Sequence, residues 1–317
     1  MGTTFSIYLY SSDRESASVQ FDAAFDEIER VEEALSNYRP TSELSRINRL
    51  ASKQRVTTDP EVFRVLQSSI EYSRRTGGAF DITVGPLMRA WGFFRANGRY
   101  PTAVELSQAR AKIGWSNVEL DNTGRTITFR APGMELDLGG IGKGYAVDQV
   151  ITVLRQAAVT SALIDAGSST LYALGAPPGK SGWKVIVPKP GQRSQAVSSV
   201  FLRDASLSTS GSYEKFFRLN GRTYCHIMDP RTGQPVQGML QTTVIAPTAT
   251  DSDALSTAMF VMGPAAGRRF LPSVPNTSAV WVEGTLEHPR IEQWRWPTVL
   301  CRQNDDCTPD RKDEEKP

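Results

Sequence analysis

Apolar residues recur at helical spacing in the first third of the chain. Residues 21–35 carry phenylalanine, isoleucine, valine and leucine on one face and acidic residues on the other, which predicts an amphipathic helix. A second helical pattern begins at Asp59, an N-cap residue followed by proline, and runs to Gly77-Gly78. The polar stretch 36–48 between the two patterns predicts a loop.

Short runs of β-branched and aromatic residues predict strands over most of the second half of the chain. Residues 125–130 and 134–138 predict a β-hairpin that leads into a glycine-rich motif. Because helices come early and strands are grouped later, the pattern favours an α+β fold over a repeating βαβ sheet. The other predicted strands are 4–10, 162–167, 183–187, 197–202, 242–246 and 279–283, and the other predicted helices are 101–112, 145–157 and 252–262.

The length and the charge limit the class of protein. A chain of 317 residues can form one large domain or two intimate lobes, and we place this domain at 1–300. Charged residues make up 22% of the chain and the formal net charge is +2, so a nucleic-acid-binding surface is not expected. Residues 301–317 are polar and predict a disordered tail. Cys301 and Cys307 could form a disulfide or remain free thiols, and the sequence favours neither.

The stretch DLGGIGKGYAVDQ, residues 137–149, joins an apolar run to a predicted helix. It is not a phosphate-loop NTPase motif, because Asp137 stands at the first glycine position and Gly144 follows Lys143. It is not the dinucleotide fingerprint either, because Tyr145 replaces the third glycine. Alone, the glycines indicate only that the backbone comes close to another group.

The stretch TATDSDALSTAMFVMG, residues 248–263, places Asp253 and Thr257 four residues apart on a predicted helix. Side chains with this spacing lie on one face, and a carboxylate and a hydroxyl both offer oxygen to a hard cation such as Mg²⁺. The alternative is that acidic residues in a first helical turn complement the helix dipole. The residues alone leave both interpretations open.

Two further polar residues have a structural and a functional interpretation. His226 lies in YCHIMDPRTGQPV before a turn at 230–233 that Asp229 can cap, and it is either structural or catalytic. Asp81 lies in GGAFDITVGPL before an apparent strand at 82–84. If it is buried there it needs partners, so it is either a loop cap or a ligand contact.

Seven motifs follow one another along the chain: MGTTF, LSNYRPTSELSRIN, GGAFDITVGPL, DLGGIGKGYAVDQ, SGSYEKFF, HIMDPRTGQPV and DALSTAMFVMG. Their order resembles the ApbE family, the FAD:protein FMN transferases, over roughly residues 1–285. The resemblance implies an α+β, T-fold-related architecture with antiparallel sheets and packed helices. It also implies an active site in a cleft between the two halves.

The resemblance implies a Mg²⁺-dependent enzyme that cleaves FAD, transfers FMN to a threonine hydroxyl of an acceptor flavoprotein and releases AMP. Subunits of membrane redox complexes are typical acceptors of the family. His226 and Asp253 are the implied catalytic residues, with His226 assisting proton transfer. The Gly140 carbonyl and the Asp253 and Thr257 side chains are implied metal ligands. The implied FAD contacts are Met1, Tyr38, Ala79, Phe80, Asp81, Asp137, Lys143 and Ile227.

The chain departs from the family pattern at LIDAGSST, where Asp165 replaces an asparagine-type residue and Ser168 follows Gly167 in place of a second glycine. MGTTFSIYLY also lacks the signal and lipidated cysteine that many members carry, and no apolar run approaches the roughly 20 residues of a membrane span. By the resemblance we expect the mature form of a periplasmic or envelope protein, a lipoprotein in its native precursor. A cytoplasmic location is the alternative.

Two other functions would use the same residues. One is a Mg²⁺-dependent FAD pyrophosphatase, in which water replaces the acceptor threonine and free FMN and AMP result. The other is a non-catalytic FAD-binding protein, against which the Asp253 and Thr257 pair argues because binding alone needs no metal. The sequence does not separate the transferase from the pyrophosphatase.

Overall fold

The structure is a computed structural model that describes residues 3–95, 97–297, 299–301 and 307–309. Met1, one of the implied FAD contacts, and most of the predicted tail lie outside these ranges. No described helix combines the length and the apolar character needed to cross a membrane. The described helices are α1 Arg14–Leu35, α2 Glu43–Leu50, α3 Pro60–Arg75, α4 Gly85–Ala90, α5 Ala103–Arg110, α6 Gly142–Gln156 and α7 Ala249–Phe270.

The described strands are β1 Phe5–Leu9, β2 Val56–Thr57, β3 Val118–Asp121, β4 Thr126–Phe129, β5 Ala162–Ala166, β6 Thr170–Leu174, β7 Trp183–Lys189, β8 Gln192–Leu202, β9 Ala205–Gly211, β10 Phe216–Leu219, β11 Arg222–Cys225, β12 Met228–Asp229, β13 Gln234–Pro235, β14 Met239–Ala246, β15 Ser278–Gly284, β16 Pro289–Trp294, β17 Val299–Cys301 and β18 Cys307–Pro309. A seven-stranded antiparallel sheet has the order β1-β5-β6-β9-β14-β15-β16. A small sheet has the order β2-β4-β3, and the remaining strands pair as hairpins.

The large sheet separates two apolar layers. On one face α6 and α7 pack against the central strands, and α1 packs against α6. The β7–β8 ribbon covers the other face. Successive residues of β6 alternate between the layers, with Tyr172 and Leu174 on the helix side and Leu171 and Ala173 on the ribbon side. The predicted α+β class, with antiparallel sheets and packed helices, is confirmed.

Both amphipathic helices predicted in the first third are confirmed. α3 begins at the predicted cap, where the Asp59 side chain accepts a hydrogen bond from the Glu61 N–H at 2.8 Å. α1 begins earlier than the apolar pattern over 21–35, because Asp13 caps it by accepting from the Ser16 N–H at 2.8 Å. The first turns of α1 are mostly exposed and therefore carry no apolar period.

The other predicted helices and most of the predicted strands are confirmed with shifted ends. α7 extends the predicted helix 252–262 in both directions and bends at Gly263, where φ is 69° and Pro264 follows. Within the large sheet, the sequence patterns missed β6, β9 and β16. The β9 segment ASLSTSG is a run of small residues, and it forms a strand because its neighbours pair with it on both sides.

The loop predicted over 36–48 is wrong in its second half, where α2 forms. Ser42 caps α2 by accepting from the Ser45 N–H at 3.0 Å. Leu44 and Ile47 are fully buried. A helix of eight residues is too short for its apolar period to stand out in the sequence. Packing of its apolar face, rather than propensity, stabilises it.

The hairpin predicted from 125–130 and 134–138 is also wrong. β4 pairs with β3 and β2 instead, and residues 134–138 form only an isolated bridge. A side chain satisfies the backbone there, because Asn48 donates to the Leu136 carbonyl at 3.0 Å and accepts from its N–H at 2.8 Å. The apparent strand at 82–84 is a turn that leads into α4.

α6 and α7 meet at their first turns. A Cβ atom built on Gly144 of α6 would lie 2.1 Å from the Ala249 carbonyl oxygen and 2.8 Å from the Asp253 Cβ. Asp148 of α6 caps α7 by accepting from the N–H groups of Ala249 and Thr250, both at 2.8 Å. The starts of the two helices are therefore fixed relative to each other.

We expect Gly144→Ala to lower the free energy of unfolding by about 3 kcal/mol, because the added methyl group would overlap a backbone oxygen that cannot move without separating the helices. Denaturant unfolding followed by circular dichroism measures this. Gly142→Ala is the matched control, since its Cβ would meet Leu138 Cβ at an ordinary 3.8 Å. Equal stability of the two variants would contradict the close contact.

Candidate active site

A cleft of about 270 Å³ is lined by residues from both halves of the chain. Its wall includes the segment after α1, the turn after α3, the 137–143 loop, the base of the β10–β11 hairpin and the first turns of α7. Every predicted site residue in the described part of the chain lines this cleft, namely Tyr38, Ala79, Phe80, Asp81, Asp137, Gly140, Lys143, His226, Ile227, Asp253 and Thr257.

Gly140 and Gly144 of the 137–149 motif allow close approach of the backbone to other groups, and neither supports a turn with a positive φ. The four glycines between 139 and 144 all have a negative φ. A Cβ on Gly140 would lie 3.2 Å from Phe80 Cε2 and 3.2 Å from Thr257 Oγ1. These contacts, and those of Gly144 with α7, show that the 137–143 loop is packed between the turn after α3 and the start of α7.

Asp253 lies where this loop meets α7, and only 4% of it is exposed. Its Oδ2 accepts from the Gly144 N–H at 2.9 Å, and its Oδ1 accepts from the Thr170 hydroxyl at 3.2 Å. The Lys143 ammonium lies 3.5 Å from Oδ1 and donates to the Gly139 carbonyl at 3.1 Å. The buried carboxylate thus has the hydrogen bonds and the opposite charge that burial requires.

A chain of buried hydroxyl groups leads from the sheet to Asp253. Ser208 of β9 donates to Thr170 of β6 at 3.1 Å, and Thr170 donates to Asp253. Each hydroxyl has one hydrogen to donate. Ser252 lies 2.6 Å from the Ser208 hydroxyl and 3.1 Å from the Ala249 carbonyl oxygen, and its single hydrogen goes to one of these two acceptors. The Ser208 and Thr170 hydroxyls both donate in the direction of the carboxylate.

The hydroxyl chain is part of a serine contact between β9 and α7, formed by Ser206, Ser208 and Ser210 with Ser252 and Ser256. Two steps along a strand cover about 6.6 Å, and four residues of a helix cover about 6 Å. Alternate strand serines therefore match helix serines one turn apart, at distances of 2.6 to 2.9 Å. The residue after each helix serine is thereby placed at the cleft.

The three residues that the resemblance assigns to Mg²⁺ lie next to one another. Gly140 is packed against Thr257, and Asp253 is one turn earlier on the same helix. A carboxylate, a hydroxyl and a carbonyl are hard ligands that suit this ion. The described ranges contain no group of three or more His, Cys, Asp or Glu side chains that could hold a metal. A site with a single carboxylate is compatible with Mg²⁺, because this ion commonly leaves several of its coordination positions to water and phosphate oxygens.

Asp81 is a loop cap that also lines the cleft. Its Oδ1 accepts from the N–H and the hydroxyl of Thr83 at 2.8 and 2.7 Å, and its Oδ2 accepts from the Trp115 N–H at 2.9 Å. Burial raises the pKa of Asp81, and these donors oppose the rise. The side chain therefore holds the turn that presents Phe80 to the cleft.

Asp137 accepts a hydrogen bond from the Gly139 N–H at 2.7 Å and another from the side chain of Asn37. Burial raises the pKa of Asp137, opposed by the Gly139 hydrogen bond and the Lys215 charge. A carboxylate only accepts, so Asn37 presents its amide N–H to Asp137 and turns its Oδ1 elsewhere. That oxygen is buried and has no partner among the described residues, which costs about 1–3 kcal/mol unless a ligand donor binds it.

The His226 ring is held in one tautomer. Its Nδ1 lies 3.2 Å from the Lys215 carbonyl oxygen. A carbonyl can only accept, so Nδ1 carries the hydrogen and Nε2 of the neutral ring is an acceptor. Burial, helped by the nearby charges of Lys215 and Lys143, lowers the pKa of His226 to about 4, and the hydrogen bond with the Lys215 backbone opposes this shift. The ring is therefore neutral at pH 7.

An apolar surface borders these polar groups. Phe80 and Ile227 are buried in the wall. Tyr38 is 60% exposed at the mouth, with its ring 6.0 Å from that of Phe94. Such a wall suits a flat aromatic ligand.

Sequence reasoning missed Asn37, Lys215 and the serine contact. Asn37 precedes the predicted FAD contact Tyr38, and Lys215 lies in the family motif SGSYEKFF. Both residues were therefore next to or within a motif that the resemblance had already identified. The serine contact has its own signal, since small polar residues at every second position of 206–210 face serines four apart at 252 and 256.

The departures from the family pattern lie in the turn between β5 and β6. Gly167 lines the cleft with φ of 67°, and a Cβ there would lie 1.8 Å from Thr3 Oγ1. Asp165 accepts from the Ser168 N–H at 2.7 Å, which supports the positive φ of 57° at Ser168. Asp165 thus stabilises the turn.

The profile of the ApbE family matches residues 1–281. The chain is 34% identical to a FAD:protein FMN transferase of Klebsiella pneumoniae, with 89% of this chain and 86% of the relative covered. It is 33% identical to a FAD:protein FMN transferase of Treponema pallidum, with 89% and 82% covered.

Solved structures of the family have the same fold. The ApbE protein of Thermotoga maritima superposes with a TM-score of 0.84 and 31% identity over 93% of this chain and 94% of the other. The flavinyl transferase ApbE of Pseudomonas stutzeri superposes with a TM-score of 0.82 and 30% identity over 93% and 92%. The chain belongs to the ApbE family.

We expect Thr170→Val to lower the free energy of unfolding by about 2 kcal/mol, because it leaves the Ser208 donor and the Asp253 Oδ1 without their buried partner. Thr170→Ser keeps the hydroxyl and should cost less than about 1 kcal/mol. Denaturant unfolding of both variants checks this. Equal losses would show that the side chain matters through its volume alone.

His226 should make stability depend on pH. Its folded pKa of about 4 lies below the ordinary value near 6.5. Between these values the unfolded chain binds the proton and the folded chain does not, so this contribution is lost as the pH falls from 6.5 toward 4. We expect a loss of about 2–3 kcal/mol at pH 4.5 relative to pH 7.5.

Unfolding free energies at both pH values, measured for the unchanged protein and for His226→Asn, isolate the histidine from the titrating carboxyl groups. The variant should lack this part of the pH dependence. An identical dependence in both proteins would contradict an imidazole that is neutral in the folded protein.

Proposed function

We propose that this protein transfers the FMN half of FAD to a threonine hydroxyl of an acceptor protein, with Mg²⁺, and releases AMP. Membership of the family makes the chain a flavin transferase. The proposal adds the ion, the acceptor hydroxyl and the leaving group. The observation that carries it is the convergence of Gly140, Lys143, His226, Asp253 and Thr257 on one cleft.

The cleft offers complementary groups to each part of FAD. The apolar wall that includes Phe80 suits a flat ring. The orphaned Asn37 oxygen suits an N–H of one of the heterocycles of FAD. Lys143 and Lys215 line the same cleft and supply positive charge for the pyrophosphate.

Asp253, Thr257 and the Gly140 carbonyl would hold Mg²⁺, which when bound neutralises charge on the pyrophosphate during transfer. The protein's own contribution is to keep these oxygens in place. The serine contact fixes the α7 residues, and the Gly144 hydrogen bond ties Asp253 to the loop that carries Gly140.

The transfer forms one phosphorus–oxygen bond and breaks another. The threonine oxygen bonds to the phosphorus of the FMN half, the bond from that phosphorus to the bridging oxygen breaks, and AMP leaves with the bridging oxygen. The threonine hydroxyl loses its proton as this bond forms. Nε2 of His226, unprotonated at pH 7, accepts that proton and passes it to solvent.

A FAD pyrophosphatase is the second candidate, because water could take the place of the threonine hydroxyl at the same groups. The non-catalytic FAD-binding alternative has less support, since simple binding needs neither the assembled oxygen ligands nor an acceptor nitrogen on His226.

The test is incubation of the protein with FAD, Mg²⁺ and a recombinant flavoprotein domain that carries a D/S-x-x-[ST] sequence. Mass spectrometry should show the acceptor heavier by one FMN on its threonine, with one AMP released per acceptor modified. A threonine-to-alanine acceptor should stay unmodified, and chelation of Mg²⁺ should stop the reaction. Release of FMN and AMP with the acceptor unchanged would favour the pyrophosphatase instead.

We expect Asp253→Asn to reduce the rate of flavin transfer at least about hundredfold, because it removes the only carboxylate of the implied metal site. The variant should remain folded, since an amide oxygen can still accept from Gly144. Asp251→Asn is the matched control, because Asp251 lies two residues earlier on the same helix and contacts Tyr72 and Thr248 instead. Equal rates in the two variants would remove Asp253 from the site.

A further inference from the structure

The β10–β11 hairpin rises directly from the wall of the cleft. We call residues 215–226 the rim hairpin. At its base the His226 N–H donates to the Lys215 carbonyl at 2.9 Å, and both residues line the cleft. Its two strands pair only with each other and take no part in the large sheet. The hairpin therefore stands at the entrance through which an acceptor must reach His226.

One face of the rim hairpin is anchored to the protein. Phe217 and Tyr224 are directly opposite across the strands and stack at 5.1 Å with an interplanar angle of 17°. Both rings pack on the fully buried Trp91, at 6.4 and 5.7 Å. Asn220 and Gly221 at the tip have φ of 48° and 75°, as a type I′ turn requires. The hairpin is held as a rigid projection.

Phe216 and Arg218 lie on the opposite face, and Leu219 pairs with Arg222 at the tip, so both regions combine apolar and basic side chains that are uncovered. Phe216 and Leu219 are 44% and 40% exposed. The Arg218 guanidinium lies over the Phe216 ring, 5.7 Å from its centroid. Arg218 and Arg222 are exposed and form no ion pair within the described part of the chain. Exposed aromatic rings and arginines are the residue types enriched in protein interfaces.

We propose that the rim hairpin is the docking surface for the acceptor protein, and that it binds an acidic, partly apolar surface beside the threonine that is modified. The proposal rests on the proposed function, since a transferase must bring a protein hydroxyl to the His226 side of the cleft. The arginines attract a negatively charged acceptor and guide its approach. Phe216 and Leu219 supply the apolar contact once it is bound.

A second copy of this chain is a poorer occupant of the same surface. In a two-fold symmetric contact each copy presents the same patch to the other. Arg218 and Arg222 of the two copies would then approach each other, and like charges brought together oppose binding. The charge of the rim hairpin therefore favours a partner of opposite sign.

The test uses the double variant Arg218→Glu/Arg222→Glu, which changes two exposed side chains outside the cleft lining. With an acidic flavoprotein domain carrying a D/S-x-x-[ST] sequence as the probe, kcat/KM for the acceptor should fall at least about tenfold. KM for FAD should stay within about twofold, since neither arginine lines the cleft. Raising the salt concentration should lower kcat/KM for the unchanged protein more than for the variant.

The matched control is Lys180→Glu/Lys184→Glu, an equal charge change on exposed residues at the β7 end of the molecule. It should leave kcat/KM for the acceptor nearly unchanged. An equal loss in both double variants, or an unchanged kcat/KM in the rim variant, would overturn the docking surface. So would a dimer in sedimentation measurements that the rim variant dissociates, because a second copy would then be the occupant.

The docking surface and the proposed function fail in different ways. If the unchanged protein modifies the acceptor threonine and the rim variant does so equally well, the docking surface is overturned and the transferase stands. If the unchanged protein releases FMN and AMP and never modifies an acceptor, the transferase is overturned and this proposal with it.

Discussion

The contact of small hydroxyl side chains between β9 and α7 is the constraint on which the site depends. Serine is small enough to let the helix lie close to the sheet. Its hydroxyl also forms a hydrogen bond with a serine on the other element, so it is not left unpaired. Apolar residues of larger volume would push α7 outward. Asp253 and Thr257 would then lose their position against the 137–144 loop. A buried polar contact here sets geometry as well as stability.

Most of the helices and several strands were predictable because local signals and the final packing agree. Asp59 caps α3 where the sequence places a cap, and the apolar face of α1 is the face that is buried. α2 and the 134–138 segment were not predictable, because distant groups decide them. Leu44 and Ile47 need a core that other elements build, and the Leu136 backbone finds its partner in Asn48.

In the site, too, some features follow from local sequence signals and others from distant contacts. The sequence pattern placed Asp253 and Thr257 on one helical face, and family resemblance brought in residues from four other segments that the structure gathers at the cleft. The tautomer of His226 and the orphaned oxygen of Asn37 depend on single contacts with Lys215 and Asp137. Contacts of this kind have no period and no spacing in a sequence. Only the folded arrangement of the chain defines them.

The hydrogen bond from the Gly144 amide to Asp253 has a practical consequence for spectroscopy. This N–H is buried and belongs to the first turn of α6, while its acceptor belongs to α7, so its exchange with solvent requires the two helices to separate. Its nuclear resonance also senses the charge on the carboxylate directly. One backbone amide can therefore report, in a single spectrum, whether the two parts of the site are joined and whether a cation has arrived.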